Sequence, residues 1–149
     1  MRAVVQRVIK SDVSVDGQIT GSTNEGLVVL IGVEKGDTDK DAKYIADKVS
    51  GLRIFEDDNE KMNLSVKDVG GSILAISQFT LLGDVRKGKR PSFITAEDPE
   101  AANRLYQMVC EIIRGEGIKV ETGIFQAHML VKIHNNGPVT ILLDSRKTF

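Results

Sequence analysis

The chain has 149 residues, 41% of them hydrophobic, enough for one domain spanning 1–149 with a real core. Twenty basic and twenty-one acidic side chains leave a net charge of -1, which argues against a dedicated nucleic-acid coat and against an acidic solvating tail. A single cysteine excludes an intrachain disulfide and a Cys-rich zinc site. No apolar run is long enough to cross a membrane, and charge returns at Arg7, too soon for a signal-peptide core, so a cytoplasmic setting is expected.

Strand signals dominate the first third. Ala3 to Ile9 is rich in valine, and Asp12 to Asp16 alternates polar residues with Val13 and Val15 before a turn at Asp16-Gly17. Leu27 to Val33 is an aliphatic run marked off by glycine, as expected of a strand buried on both faces. Thr38 and Asp41 resemble a capping box, and Ala42, Ile45, Ala46, Val49 and Leu52 follow at helical spacing. Arg53 to Phe55 reads as a short strand, Glu56 to Glu60 as a polar turn, and Ser72 to Leu82 as a second long apolar segment. Asp98-Pro99 opens another helix, with Ala102, Leu105, Tyr106, Val109, Ile112 and Ile113 as its buried stripe and glycines 115 and 117 as its end. Two further strands, Val120 to His134 and Val139 to Leu143, are expected to be joined by a turn at Asn135-Asn136-Gly137-Pro138. The order of elements predicts an α+β fold, a mixed and strongly curved sheet with two helices, without the regular alternation of a doubly wound sheet.

The chemistry concentrates in Ile73 to Leu81. Its first half is apolar on both faces, whereas Ser77, Gln78 and Thr80 place hydrogen-bonding side chains where the aliphatic pattern would otherwise continue. As a strand, this segment would put Gln78 and Thr80 on one face and Ser77 and Phe79 on the other. Buried polar groups need partners, since an unsatisfied one costs about 1–3 kcal/mol. Those partners are either neighbouring backbone or a ligand. Thr80 is a candidate nucleophile, but no activating base stands near it in sequence. Asn136-Gly137-Pro138-Val139-Thr140 reads as a plain turn, and the pattern leaves the Gly-Pro isomer open, because only about 5–6% of X-Pro bonds in folded proteins are cis. Arg86-Lys87-Gly88-Lys89-Arg90 is a compact basic loop, either solvated or a phosphate contact.

Other signals are discounted. His128 and His134 are expected on one face of a strand, six residues apart and without a further ligand, so no metal site is expected and no cofactor is implied. Asp57 and Asp58 fit a turn, and Cys110 a packing position at the edge of a helical stripe. There is no G-x-S-x-G, P-loop or G-x-G-x-x-G motif.

Taken together and in order, Met1 to Arg7, Ser77-Gln78-Phe79-Thr80-Leu81, Arg90-Pro91-Ser92-Phe93, Thr122-Gly123-Ile124-Phe125, Asn136-Gly137-Pro138-Val139-Thr140 and Leu143-Asp144-Ser145-Arg146 resemble the D-aminoacyl-tRNA deacylase family from one end of the chain to the other. Asn136, where Asp is more usual, is a small departure that leaves the Gly-Pro element intact. The resemblance implies a cytoplasmic homodimer of curved-sheet domains that hydrolyses the ester of D-aminoacyl-tRNA, and of glycyl-tRNA mischarged on tRNA-Ala, as chirality proofreading. It implies catalytic roles for Gln78, Phe79 and Thr80, and substrate contacts from Ser77, Gly137, Pro138 and Val139. A cis Gly137-Pro138 pair would be inserted into the partner's site, and Arg86, Lys87, Lys89 and Arg90 would hold tRNA. Neither DNA nor membrane is an expected partner. A non-catalytic RNA-binding module using the loop 86–90 is the competing reading, and a metal-dependent hydrolase a weaker one.

Overall fold

The computed structural model describes residues 1–149. The first strand, β1 (Arg2–Val15), is continuous where the sequence pattern predicts two strands, because both stretches pair with the same partner strand. β2 (Gln18–Thr23) folds back on its second half, and β3 (Gly26–Gly32) pairs antiparallel with its first half. Helix α1 (Asp39–Gly51), the short hairpin β4 (Phe55–Glu56) and β5 (Met62–Leu64), and β6 (Ser72–Ser77) follow. After a 3-10 turn at Phe79–Leu82 come α2 (Pro99–Gly115), β7 (Val120–Thr122) and β8 (Leu130–Asp144).

The main sheet runs β2-β1-β3-β6-β7, with β8 along the other edge of β1; β3–β6 and β6–β7 are parallel and the rest antiparallel. The sheet curls until β2 meets β7, where the Ser22 N–H donates to the Glu121 carboxylate at 2.6 Å. The result is the expected α+β architecture, a nearly closed, barrel-like mixed sheet with two helices. No helix is long and apolar enough to cross a membrane.

β3 and β6 are buried on both faces because they separate two apolar clusters. Leu27, Val29, Ile31, Ile73 and Ala75 face the helices, together with Ile45, Val49, Leu105, Val109 and Ile113. Val28, Leu74 and Ile76 face the inside of the curl, with Val8, Val13, Val131 and Ile133. The helical stripes fall close to expectation; Cys110 is fully buried, and burial pushes its thiol up to about 11. At the start of α1 the Asp41 carboxylate accepts the Thr38 N–H at 2.7 Å and the Thr38 hydroxyl at 3.0 Å, so aspartate serves the capping box. Asp98 stands at the N-cap of α2 but its side chain caps nothing; its own N–H donates to Glu97 at 2.9 Å.

Two longer strands do not form as the pattern predicts. The expected strand from Val120 breaks after Thr122, and the chain turns through Phe125 and Gln126, the latter at φ 65°, before β8 begins. His128 therefore lies outside any strand, and it does not share a strand face with His134. β8, in turn, runs without a break past Gly137-Pro138.

Tyr106 donates its hydroxyl to the Ala75 carbonyl at 2.8 Å inside the core, joining α2 to β6. Tyr106→Phe is expected to lower stability by about 1 kcal/mol in chemical denaturation with the m-value unchanged. Burial acts to raise the Asp41 pKa, but hydrogen bonds from Ser145 and Thr38 outweigh it and hold the carboxyl below its ordinary value. A lowered folded pKa stabilises above the unfolded pKa and is lost as pH falls through the folded one. Asp41→Asn should therefore flatten the loss of stability below about pH 4, measurable as a shallower dependence of the denaturation midpoint on pH.

Candidate active site

Strand β6 ends at Ser77, and there the alternation expected for Ser77 to Leu81 also ends. The Gln78 N–H still donates to the Ile31 carbonyl at 2.7 Å, after which the chain winds into the 3-10 turn. Gly32 makes this possible. A Cβ there would lie 2.5 Å from Leu82 Cδ2 and 3.0 Å from the Gln78 carbonyl oxygen, so only glycine lets the turn pack on the end of β3. Buried Leu82 anchors the turn from below, and Arg2 Nη1 donates to the Leu81 carbonyl at 3.2 Å.

The turn changes what the polar residues can do. Gln78 and Thr80 meet through local winding instead of strand alternation, with Gln78 Nε2 donating to Thr80 Oγ1 at 3.0 Å. An amide N–H cannot accept a proton, so this partner does not activate the hydroxyl for attack. The first N–H that the turn itself consumes belongs to Leu81, which donates to Gln78, so the turn makes no use of the Phe79 and Thr80 N–H groups. Phe79 is 57% exposed, edge-on to Phe93 with ring centroids 5.2 Å apart.

Ser77, Gln78, Phe79 and Thr80 line one wall of a cleft of about 450 Å³. Val33, Ala96, Glu97, Pro99 and Ala102 form a second wall, and the irregular segment Phe125 to Ala127 with Met129 the third. Glu97 is the one ionisable side chain among these lining residues. The cleft thus offers apolar surface, hydrogen-bonding groups and one carboxylate, with neither imidazole nor thiol. Sequence reading placed the polar wall but missed Glu97, whose N–H is held by the Val33 carbonyl at 2.9 Å, and Gln126 and Met129, whose approach depends on the break between β7 and β8. The one prior sign was Phe125, which closes a motif already singled out.

Gly137, Pro138 and Val139 do not line this cleft. They lie in β8 where Gln6 pairs with Thr140 and Val8 with Asn135, so that Asn136 to Val139 stand opposite Arg7 alone. The segment is a special bulge within one strand, four residues against one, which corrects the reading of it as a turn between two strands. The Gly137-Pro138 bond is cis, Gly137 has φ 131°, and both residues are exposed while Val139 is buried. Arg7, itself buried, supports the bulge. Its Nε donates to the Asn136 carbonyl at 3.0 Å and its Nη1 to the Ile54 carbonyl at 2.7 Å.

The basic loop is closed by reciprocal backbone bonds between Asp84 and Ser92 at 2.8 and 2.9 Å. Arg86 is not a free cation: it forms a two-bonded pair with Asp84, at 2.9 and 2.7 Å, whose hydrogen bonds hold the Asp84 carboxyl well below the usual range. Lys87, Lys89 and Arg90 are exposed, and none of the four basic residues lines the cleft. No three His, Cys, Asp or Glu side chains converge as a metal-binding group would require.

A family model described as D-Tyr-tRNA(Tyr) deacylase matches residues 4–144. Proteins named D-aminoacyl-tRNA deacylase from Koribacter versatilis, Anaeromyxobacter dehalogenans and Fervidobacterium nodosum are 60%, 58% and 59% identical over all 149 residues, covering both chains completely. Among solved structures, one titled c-Myc DNA Unwinding Element Binding Protein superposes with a TM-score of 0.90 at 39% identity, over 97% of this chain and 98% of the other. A second, titled as a probable eukaryotic D-amino acid tRNA deacylase, shares the fold, with a TM-score of 0.79 at 17% identity over 95% and 97% of the two chains. Matched from end to end at this level of identity, the chain belongs to the D-aminoacyl-tRNA deacylase family.

Proposed function

We propose that the protein hydrolyses the ester between a D-amino acid and the terminal ribose of tRNA, freeing both, and that it acts in the cytoplasm as chirality proofreading. The observation that carries this reading is a cleft lined by Ser77 to Thr80 without an activated nucleophile, in a chain of this family. Ester hydrolysis develops negative charge on the carbonyl oxygen. The Phe79 and Thr80 N–H groups, unused by the 3-10 turn, stabilise that oxyanion, with Gln78 orienting Thr80. Loss of one such donor typically costs about 2.7–4 kcal/mol. Water attacks directly, assisted by the neighbouring ribose hydroxyl of the substrate, and Thr80 positions without forming a covalent bond.

Chirality is judged by exclusion. Gly137 and Pro138, anchored by buried Val139, enter the cleft of the partner subunit in a homodimer, where the stiff Gly-Pro wall strikes an L side chain but passes a D-amino acid or glycine. Two observations favour this assembly. The Gly-Pro bulge is exposed and lies outside its own chain's cleft. Beside it, Val4, Leu30 and 58% exposed Leu142 share one face of the sheet, an apolar row suited to a second copy. Because glycine carries no side chain to exclude, glycyl-tRNA mischarged on tRNA-Ala is a second substrate. Lys87, Lys89 and Arg90, with Arg86 partly neutralised by Asp84, hold acceptor-end phosphates. So few basic groups on one loop fit a tRNA end better than a length of duplex DNA.

Incubation of the purified protein with D- and L-aminoacyl-tRNA tests the reading. The D-ester and glycyl-tRNA should be hydrolysed and the L-ester spared; survival of all three, with tRNA still bound, would assign an RNA-binding module instead. Thr80→Ala is expected to keep activity within about tenfold of the parent, since the backbone N–H remains and only a positioning bond of about 1 kcal/mol is lost. An acyl-threonine ester trapped on Thr80 and seen by mass spectrometry would overturn the water mechanism.

A further inference from the structure

We propose that Asn135 is a positioning residue for chiral selection, holding the Gly137-Pro138 bulge in shape by standing in for the β-ladder that the bulge interrupts. The proposal rests on the reading of Gly137-Pro138 as the wall that excludes L-amino acids.

In an antiparallel ladder the backbone N–H and C=O of a strand are satisfied by the strand beside it. Opposite Asn136 to Val139 β1 offers only Arg7, so backbone groups of the bulge lack ladder partners. Val139 is buried, and a buried peptide left unpaired is costly. The Asn135 side chain supplies what is missing. Its Oδ1 accepts the Val139 N–H at 2.8 Å, and its Nδ2 donates to the Val139 carbonyl at 3.3 Å. One primary amide thus imitates a peptide unit, meeting both polar groups of the same residue. The second Nδ2 proton goes to Thr140 Oγ1 at 3.1 Å, an oxygen that also receives Gln6 Nε2 from β1 at 3.2 Å. The amide has two donors and one acceptor group, and every one of them is engaged.

These bonds close the bulge at its neck, tying residue 135 to residue 139 across the loop, while Arg7 holds the Asn136 carbonyl from below. Gly137 and Pro138 are the exposed tip between the two anchors. A wall discriminates only when it cannot yield to the side chain that strikes it. Stiffness at this tip therefore comes from a residue that is itself outside the wall. Aspartate would not replace Asn135, because a carboxylate keeps the bond from the Val139 N–H but loses both donors and turns negative charge on the Val139 carbonyl.

The test compares the parent protein with Asn135→Ala, Asn135→Asp and Pro138→Ala. Two quantities are read: hydrolysis of D- and L-aminoacyl-tRNA carrying the same amino acid, and hydrogen exchange at the Val139 amide. Asn135→Ala should lower D-over-L discrimination about tenfold, equivalent to about 1.4 kcal/mol. Val139 exchange should rise about tenfold as well, while the ladder amides of Lys132 and Ile141 keep their protection. Asn135→Asp, which retains the acceptor, should fall between and serves if the alanine variant does not fold. Discrimination intact in both Asn135 variants but lost in Pro138→Ala would overturn the role of Asn135 and leave the wall standing. Discrimination intact in all three would overturn both. Discrimination lost in Asn135→Ala with Val139 exchange unchanged would also overturn the proposal, because the effect would then not pass through the neck of the bulge.

Discussion

Most of this structure depends on the double pairing of β1. It bonds to β3 and then β2 along one edge and to β8 along the other, so three strands take their register from one. Residues added to a strand in that position cannot be absorbed by a slip, because a shift of one residue would exchange the two buried faces. β8 carries four residues where β1 has one, and the surplus leaves the sheet as the Asn136 to Val139 bulge. The same rigidity sets the other end of the site. β6 is held beside β3 as far as Ser77, and the chain turns where Gly32 leaves room.

The consequence for chemistry is a cleft with few ionisable groups. Cys110 and Tyr106 are buried in the helical core, where burial raises both pKa values, and both histidines stand outside the cleft. What remains is backbone presented at a tight turn, a Gln-Thr hydrogen bond and apolar walls. In the proposed reaction such a site acts through fixed dipoles, and fixed dipoles need a rigid support. Leu82 below the turn, Arg2 at its last residues and the Phe79–Phe93 contact at its rim supply that support. The near-zero net charge has a related reading. Under the proposed function, a protein that handles only the end of a tRNA needs basic groups on one loop and no basic surface elsewhere, and salt-sensitive contacts of this kind also release product.

The amino-acid sequence by itself determined the α+β class, both helices with their starts, the doubly buried β3 and the polar stretch Ser77 to Thr80. These follow from local rules: side-chain periodicity, caps, and polar residues out of place in an apolar run. Family resemblance extended that to the Gly-Pro pair. The tertiary structure alone decided the rest. The sequence pattern called for a strand through Leu81, but packing against Gly32 and Leu82 makes it a 3-10 turn, and that turn brings Gln78 to Thr80. Gly-Pro read as a turn between strands, because nothing local says that β1 pairs on both sides of it. Glu97 and Met129 join the cleft, and Arg7 and Asn135 brace the bulge, through contacts between segments distant in the chain or by filling gaps that such contacts leave. Periodicity reports which face of an element is buried. It cannot report which neighbour lies there, and in this fold the neighbours make the site.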